Sequence, residues 1–230
     1  MSVVYAKTEG VTLVGGGHVS ADMLNRALNM APWLVAADGG ADKILALGQQ
    51  PDLAIGDFDS ISPETRAILG AARLHQVAAQ HNTDFDKALD AIEAPFVLAL
   101  GFSGGRLDHT LAAMNTLLCN PNRRVIVETG ADLCVVLPPE LVLTLPPGTR
   151  VSLFPMGATR CRSEGLEWPT DALAFSPFGR IGTSNQAVGG QVTLRPETPR
   201  MLLLVPPTAL DALLKALRDA PLWQDDARAR

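Results

Sequence analysis

Three things are scarce in this sequence of 230 residues: long apolar runs, cysteine and an excess of positive charge. No window approaches the roughly 18 apolar residues of a membrane helix, and the first residues lack the basic and apolar regions of a secretory signal. The three cysteines, Cys119, Cys134 and Cys161, fit no metal-ligand spacing, which favours buried free thiols. We therefore expect a cytoplasmic protein with no membrane partner.

The charge balance limits the partners further. A net charge of -5 leaves no diffuse positive field to attract DNA, RNA or an anionic membrane, so we expect no nucleic-acid partner. The sequence also lacks the phosphate loop G-x-x-x-x-G-K-[ST] and the dinucleotide fingerprint G-x-G-x-x-G. A nucleotide can still bind where a divalent cation and a few Arg or Lys residues reverse the charge within one cleft.

The N-terminal part, residues 1–138, has the pattern of an α/β domain. Short β-rich runs alternate there with segments of helical length, which predicts a mainly parallel sheet covered by helices. The predicted strands are Val11–Val14, Leu34–Ala37, Leu53–Ile55, Phe96–Leu100, Val125–Thr129 and Leu133–Leu137. The predicted helices are Ser20–Met30, Ala41–Ala46, Pro63–Leu69, Asp84–Ile92 and Asp108–Leu118. The last of these helices would bury a face formed by Leu111, Met114, Leu117 and Leu118.

The C-terminal part, residues 139–230, has the pattern of an antiparallel β domain. Short strands are separated there by Pro and Gly until a terminal helix, which Thr208 and Asp211 would cap. Its buried side would carry Leu210, Leu213, Leu214 and Leu217. The predicted strands are Leu141–Leu145, Arg150–Phe154, Leu173–Phe175, Gly190–Leu194 and Met201–Val205.

Two aspartates directly follow the predicted strand Leu53–Ile55, in the run GDFDS. From an extended backbone, Asp57 and Asp59 would point the same way while Phe58 points into the core. Two carboxylates suit Mg²⁺, which prefers hard oxygen ligands and completes its shell with water and substrate phosphate. A polar turn whose Asp or Ser caps the next helix explains the same residues equally well.

A second acidic segment, Thr83–Leu89, has the features of a helix start. Thr83 suits the N-cap, and acids in the first turn are stabilised by the helix dipole. Alone, this is an ordinary capping motif. Asp84 and Lys87 are nevertheless three residues apart on one helical face, so a ligand carboxylate and a phosphate-pairing ammonium could be presented together.

A glycine-rich segment, Gly104–His109, follows the predicted strand Phe96–Leu100. Glycines let backbone N–H groups approach a phosphate, and Arg106 can hold phosphate oxygens with two hydrogen bonds. Asp108 would either join the metal cluster or orient Arg106. A glycine turn with a solvated Arg and a helix-capping Asp is the open alternative.

Taken together and in order, these motifs resemble those of the thiamine pyrophosphokinase family, also called the thiamine diphosphokinase family. The resemblance covers nearly the whole chain. It runs through Gly15–Gly17, Asp38–Gly40, Pro51–Asp52, Gly56–Ser60, Thr83–Asp84, Gly105–His109, Ser152–Phe154, Gly165–Pro169 and Gly182–Asn185. One departure lies just before Thr83, where many relatives carry an acid and this chain reads Gln80-His81-Asn82.

The resemblance implies transfer of a pyrophosphoryl group from ATP to the hydroxyethyl group of thiamine, giving thiamine diphosphate and AMP. It also implies an ATP-binding α/β domain, a thiamine-binding antiparallel β-sandwich domain, and a homodimer with active sites in clefts between subunits. Attack on the β-phosphorus would be in line, with Asp84 or Asp59 accepting or orienting the hydroxyl proton. Two rival functions remain open. One is pyrophosphoryl transfer to another flat heterocyclic alcohol, and the other is catalytically silent sensing of a nucleotide or thiamine.

The resemblance assigns roles to particular residues. The Mg²⁺ ligands would be Asp57, Asp59, Asp84 and Asp108, which together with Lys87 and Arg106 form the implied catalytic set. The ATP-contacting set would be Asp38, Gly39, Gly40, Gln80, Gly104, Gly105 and Arg106.

By the same resemblance, thiamine would contact Trp168, Ser184 and Asn185. The chemistry agrees with this, because an aromatic face can stack on the cationic ring while hydroxyl and amide groups pair with the aminopyrimidine. Without the resemblance, Trp168 would be a core or interface anchor, and Thr183–Asn185 would be a turn.

Overall fold

The computed structural model describes residues 3–77 and 83–224, which divide into two compact units. The first unit covers the described residues up to Thr116 together with Val125–Thr129. The second covers Leu117–Arg124 and the described residues from Gly130 onward. Within the described ranges, no helix is long and apolar enough to cross a membrane.

The first unit is an α/β fold. Its strands are β1 (Tyr5–Ala6), β2 (Val11–Val14), β3 (Trp33–Ala37), β4 (Leu53–Gly56), β5 (Leu74–Gln76), β6 (Ile92–Glu93), β7 (Val97–Leu100) and β8 (Val125–Glu128). Its helices are α1 (Ala21–Met30), α2 (Gly40–Ala46), α3 (Pro63–Leu69), α4 (Asp84–Ala91) and α5 (Leu107–Cys119), the last of which continues into the second unit. Every residue of β2, β7 and β8 is buried, as expected for parallel strands covered on both faces.

Six of these strands form a parallel array in the order β8-β7-β2-β3-β4-β5. The chain builds the array outward from β2 to β5 and then returns to place β7 on the other side of β2. That reversal makes the carboxyl end of β2 a topological switch point, where open α/β sheets bind ligands. The loops after β2 and β7 meet there, because the N–H of Gly17 donates to the carbonyl of Gly101 at 2.8 Å.

The second unit contains two antiparallel sheets and a helix. Its strands are β9 (Leu133–Val136), β10 (Leu141–Leu145), β11 (Arg150–Pro155), β12 (Thr159–Glu164), β13 (Ala174–Phe175), β14 (Gly182–Gln186), β15 (Gly190–Pro196) and β16 (Met201–Val205), and its helix is α6 (Leu210–Asp219). The strands are ordered β14-β11-β16-β9 in one array and β10-β15-β12-β13 in the other. The predicted fold class, an α/β part followed by an antiparallel β part, is confirmed.

The terminal helix begins differently from the prediction. A 3-10 turn at Pro207–Ala209 precedes α6, its N-cap is Ala209, and no side chain caps it, so the predicted capping by Thr208 is wrong. Proline at the first position of that turn places Thr208 inside it rather than before the helix. The four leucines predicted for the inner face of this helix are buried.

Two further predictions about burial were partly wrong. Of the four residues predicted for the buried face of α5, Leu111 is 56% exposed and Leu117 is buried. Met114 and Leu118 are half-buried. Cys134 and Cys161 are buried thiols as predicted, whereas Cys119 is exposed at the end of α5. Burial in apolar surroundings raises the pKa of both buried thiols to about 12.

Candidate active site

Three carboxylates converge at the carboxyl ends of two neighbouring strands. Asp38 follows β3, and Asp57 and Asp59 follow β4, which pairs with β3 in parallel. One carboxylate oxygen from each of the three lies within 4.8 Å of the others. The structure therefore brings Asp57 and Asp59 together and places Asp38 beside them as a third carboxylate.

The backbone reaches this arrangement through left-handed residues. Phe58 has φ +67° and Asp38 has φ +42°, so the predicted extended backbone of the GDFDS run is wrong at its centre. The ring of Phe58 is still buried, at 5% exposure, as predicted. A bulky residue held at positive φ stores about 1–3 kcal/mol of strain, and such strain is characteristic of functional sites. The left-handed turn at Phe58 brings Asp59 back beside Asp57.

Asp38 is buried at 2% exposure, although it is an acid. Its Oδ2 accepts a hydrogen bond from the N–H of Ser60 at 3.3 Å, whereas its Oδ1 has no hydrogen-bond partner among the residues that the structure describes. Burial raises the pKa of Asp38, and the carboxylates of Asp84, Asp59 and Asp57 raise it further against the opposing effect of the Ser60 hydrogen bond. A buried oxygen without a partner is costly, which points to a cation as its missing partner.

A buried lysine links two of the acidic segments. The Nζ of Lys87 lies 2.8 Å from Oδ2 of Asp57 and 2.9 Å from Oδ1 of Asp84, and the residue is 3% exposed. Its hydrogen bond lowers the pKa of Asp57. Burial disfavours the ammonium, but the bonds to the two aspartates leave the pKa of Lys87 raised. Lys87 therefore stays charged at neutral pH and holds Asp57 and Asp84 together.

Helix α4 presents Asp84 and Lys87 in a fixed orientation. Thr83 is its N-cap, and the Thr83 hydroxyl accepts from the N–H of Asp86 while the Asp86 carboxylate accepts from the N–H of Thr83. This reciprocal capping box fixes the first turn, which confirms the predicted helix start. The motif is thus both an ordinary cap and part of the acidic cluster.

The loop after β7 lies against the same helix. The ring of Phe102 stacks on that of Phe85 with centroids 4.1 Å apart, and Phe85 is the neighbour of Asp84. Farther along this loop, the guanidinium of Arg106 donates two hydrogen bonds to Asp108, at 3.1 and 2.5 Å, and both side chains are exposed. The Arg106 guanidinium lowers the pKa of Asp108. Asp108 is paired with Arg106, and it is not one of the three carboxylates that converge.

The glycines near the site differ in their roles. A Cβ on Gly40 would lie 2.0 Å from the carbonyl oxygen of Val14, so only glycine lets α2 begin this close to the end of β2. Gly104 and Gly105 have φ of +82° and +65°, which glycine adopts without strain. Gly39 is the N-cap residue of α2, and Gln80 lies outside the described residues.

The converging residues fit a magnesium ion. They supply hard carboxylate oxygens, one of them buried and without a described partner, and a cation between them would offset their mutual repulsion. On this geometry Asp38, Asp57 and Asp59 would hold the ion, with Asp84 beside them across Lys87. Asp38 was predicted only as a nucleotide neighbour. The adjacency of β3 and β4 is the signal that could have placed it in the cluster.

The residues predicted to contact thiamine lie together in the second unit. Trp168 is 57% exposed, in the segment between β12 and β13. Asn185 on β14 is buried, and its side chain bonds both backbone groups of Trp168, accepting from the N–H at 3.2 Å and donating to the carbonyl at 2.7 Å. Ser184 is exposed with φ +63°, and its N–H donates to the hydroxyl of Ser152.

Comparison with known proteins assigns the chain to a family. The family model described as "Thiamin pyrophosphokinase, catalytic domain" matches residues 24–127, and that described as "Thiamin pyrophosphokinase, vitamin B1 binding domain" matches residues 140–199. The chain belongs to the thiamine pyrophosphokinase family. Membership confirms the family and the enzyme class predicted from the motifs.

Two thiamine pyrophosphokinases illustrate the similarity in sequence. Thiamine pyrophosphokinase 3 of Oryza sativa subsp. japonica is 30% identical over 185 residues, which cover 66% of this chain and 69% of the relative. Thiamin pyrophosphokinase 1 of Caenorhabditis elegans is 29% identical over 195 residues, with coverage of 74% and 79%.

Solved structures of this family share the fold. Thiamin pyrophosphokinase from Candida albicans superposes with a TM-score of 0.74 at 18% identity, covering 86% of this chain and 89% of its own. Yeast thiamin pyrophosphokinase gives a TM-score of 0.73 at 17% identity, covering 94% of each chain. At these identities the likeness supports the fold alone.

Proposed function

We propose that this chain transfers a pyrophosphoryl group from ATP to the hydroxyethyl group of thiamine, giving thiamine diphosphate and AMP. Family membership supports pyrophosphoryl transfer to thiamine. The observation that carries the finer proposal is the convergence of Asp38, Asp57 and Asp59 beside a buried lysine, at the edge of the sheet where ligands bind. Such a cluster suits the polyphosphate of ATP only when a divalent cation is present.

We propose that Mg²⁺ is that cation, held by Asp57 and Asp59 as predicted from the sequence and by Asp38 in addition. When bound, the ion neutralises charge on the phosphates of the nucleotide. Asp84 remains a proposed ligand through its position beside Lys87, and Asp108 through its place on the neighbouring loop. The chain's own contribution is to hold these oxygens in place before ATP arrives, so little reorganisation is needed during transfer.

The cations of the site have separate roles in this proposal. Lys87 is buried and engaged by two carboxylates, so it positions Asp57 and Asp84. Arg106 is exposed and held by Asp108 in a fork that can turn toward phosphate oxygens. The glycines predicted to contact ATP, Gly39, Gly40, Gly104 and Gly105, belong to the same strand-end loops.

Asp59 or Asp84 accepts or orients the proton of the thiamine hydroxyl. Asp59 is exposed and accepts a hydrogen bond from the Ser60 hydroxyl at 2.7 Å, whereas Asp84 shares the Lys87 ammonium. Comparing Asp59→Asn with Asp84→Asn separates the roles. Because both are proposed Mg²⁺ ligands, the two variants are compared at saturating Mg²⁺, and the one with the larger loss of kcat identifies the residue that handles the proton.

Recognition of thiamine belongs to residues 139–230 in this proposal, and phosphate chemistry to residues 1–138. Trp168 offers an exposed aromatic face on which a flat cationic ring can stack. The exposed Ser184 hydroxyl is free to meet the substrate, whereas the Asn185 amide already bonds the backbone of Trp168. We therefore assign direct contact to Trp168 and Ser184 and an indirect role to Asn185.

Product analysis tests the proposal. The purified protein is incubated with ATP, Mg²⁺ and thiamine, and we expect AMP and thiamine diphosphate in equal amounts. Asp57→Asn should lower kcat by about a hundred-fold or more, as loss of a preorganised charged group does. The exposed Asp211→Asn, on α6, serves as the matched control. Thiamine binding without AMP would show a sensor, and AMP formed only with a different heterocyclic alcohol would show a different kinase.

A homodimer in the cytoplasm completes the proposal. The dimer is implied by family resemblance, and light scattering of the purified protein tests it directly. A mass equal to one chain under assay conditions would contradict it.

A further inference from the structure

The segment that carries Trp168 is tied down on both sides. On one side, Thr170 is 3% exposed although its neighbours Pro169 and Asp171 are exposed. Its N–H donates to the Ser163 hydroxyl at 3.0 Å, and its own hydroxyl donates to the carbonyl of Cys161 at 2.5 Å. Both partners lie on β12 and are buried, so these two bonds anchor the segment to the sheet.

On the other side, the segment is tied to β14. The Asn185 side chain bonds both backbone groups of Trp168, and its oxygen also accepts from the N–H of Gln186 at 2.8 Å. The N–H of Glu167 donates to the carbonyl of Gln186 at 2.9 Å, and Leu166 forms a β-bridge with Ala187. The backbone on either side of the indole is therefore fixed, while the indole itself is exposed.

An exposed tryptophan on a fixed backbone is arranged for binding rather than for packing. Fixing a contact residue before the ligand arrives reduces the conformational entropy lost on binding. The side chains that fix it are small, buried and polar, and their hydrogen bonds go to the backbone of their own unit. An Asn and a Thr used in this way are unavailable for direct contact with substrate.

We propose that Thr170 and Asn185 are positioning residues for thiamine recognition, acting through Trp168. Thr170 was not singled out by the sequence, and Asn185 changes from a contact residue to a support. The inference rests on the proposed function, because it takes Trp168 to be the surface on which the thiamine ring stacks.

Thr170→Val tests the inference, because it removes the hydroxyl while keeping the branched shape. We expect the KM for thiamine to rise about five-fold, a change of the size that loss of a cation–π contact produces. The KM for ATP and kcat should stay within about two-fold, since the proposed role of Thr170 is in thiamine recognition and not in phosphate chemistry. Thr170→Ser, which keeps the hydroxyl, should restore the KM for thiamine.

Thr12→Val is the matched control for stability. The Thr12 hydroxyl donates to the carbonyl of Ala31 in the first unit, which is also a buried bond between a threonine and the backbone. Both valine variants should show a similar fall in the midpoint of denaturation, because each loses one buried hydrogen bond. Only Thr170→Val should raise the KM for thiamine, and an equal rise in Thr12→Val would overturn the positioning role.

The coupling to Trp168 is measured in a double variant. In the Trp168→Ala background, Thr170→Val should cause no further rise in the KM for thiamine, because the group it positions is gone. A further rise of similar size, or an unchanged KM in Thr170→Val alone, would overturn the inference.

A fluorescence measurement separates this inference from the proposed function. The part of the emission that is lost in Trp168→Phe reports on Trp168, and Thr170→Val should lower its anisotropy without any substrate. If the parent protein formed no thiamine diphosphate while this anisotropy fell, the proposed function would fail and the anchoring by Thr170 would stand. Unchanged anisotropy would overturn the anchoring itself.

Discussion

The buried lysine of α4 provides the strongest quantitative test of the acidic cluster. Lys87→Met keeps the length of the apolar stem and removes the ammonium group with its charge and both hydrogen bonds. Asp57 and Asp84 then face each other and Asp38 without the ammonium between them. We expect the variant to fold, because methionine can occupy the space of the buried apolar stem of Lys87. It should be less stable than the parent and much less active.

The size of the stability loss follows from the geometry. Removing one partner of a fully buried ion pair costs about 3–5 kcal/mol. Here the ammonium is buried, but the side chains of Asp57 and Asp84 are 32% and 41% exposed, so water can partly solvate them when Lys87 is gone. We therefore expect a loss of about 2 kcal/mol, which corresponds to a fall in Tm of about 4–8 °C for a chain of this length.

The pH dependence of that loss has a definite sign. The Lys87 bond lowers the pKa of Asp57, so its stabilisation is present above the unfolded aspartate pKa of about 3.9 and is lost as pH falls through the folded value. The raised pKa of Lys87 gives a stabilisation that is present below about 10.4 and is lost as pH rises through the folded value. The difference between parent and variant should be largest between these limits.

Chemical denaturation of the parent and Lys87→Met at pH 3, 7 and 11 measures this dependence. Lys215→Met, at an exposed position in α6, is the matched control and should leave stability within about 0.5 kcal/mol of the parent. A difference between parent and Lys87→Met that did not change across these pH values would refute the ion-pair account. A fully active Lys87→Met would refute its positioning of Asp57.

Three further predictions follow from other contacts. Asp38→Asn keeps a side chain that tolerates positive φ and removes a buried charge, so it should raise the free energy of unfolding at neutral pH by about 1 kcal/mol. This gain should disappear below about pH 4, where the parent aspartate is protonated in the folded and the unfolded chain. The same variant should have lower Mg²⁺-dependent turnover. In Asp57→Asn, a higher Mg²⁺ concentration should fail to restore the parent kcat, as steady-state assays would reveal. Arg124→Met should lower the Tm by several degrees, because this guanidinium donates to three carbonyl groups at the end of α6.

Much of the α/β unit could be predicted because its signals are local. Val11–Val14, Pro63–Leu69 and the other main elements have apolar runs or helix caps that identify them within one or two residues. The predicted helix cap at Thr83 has the full reciprocal bonding of a capping box. Such features depend on neighbours in the chain, so they are readable without tertiary structure.

Two strands of the β unit were missed because their buried residues are polar. The inward side of β12 is Thr159, Cys161 and Ser163, with charged residues between them, so hydrophobic alternation is absent. Within β14, the residues Thr183–Asn185 have the composition of a turn when the family resemblance is set aside. Buried polar side chains such as Ser163 and Asn185 bond backbone groups, and these partners can be recognised only from the tertiary structure.

The site shows the same division. The aspartates after each strand were identifiable from their positions, but the grouping of Asp38 with Asp57 and Asp59 depends on β3 pairing with β4. The left-handed backbone at Phe58 was also unpredictable, because no local rule favours a phenylalanine there. The assignment of Asn185 to the backbone of Trp168 required a contact across 17 residues.

Positional labelling of ATP tests the central claim most directly. Thiamine is incubated with the protein, Mg²⁺ and ATP labelled with ³²P at either the α- or the β-phosphorus. The account predicts that the β-label enters thiamine diphosphate and the α-label is recovered in AMP. Recovery of the α- or β-label in ADP, with thiamine monophosphate as the product, would contradict pyrophosphoryl transfer.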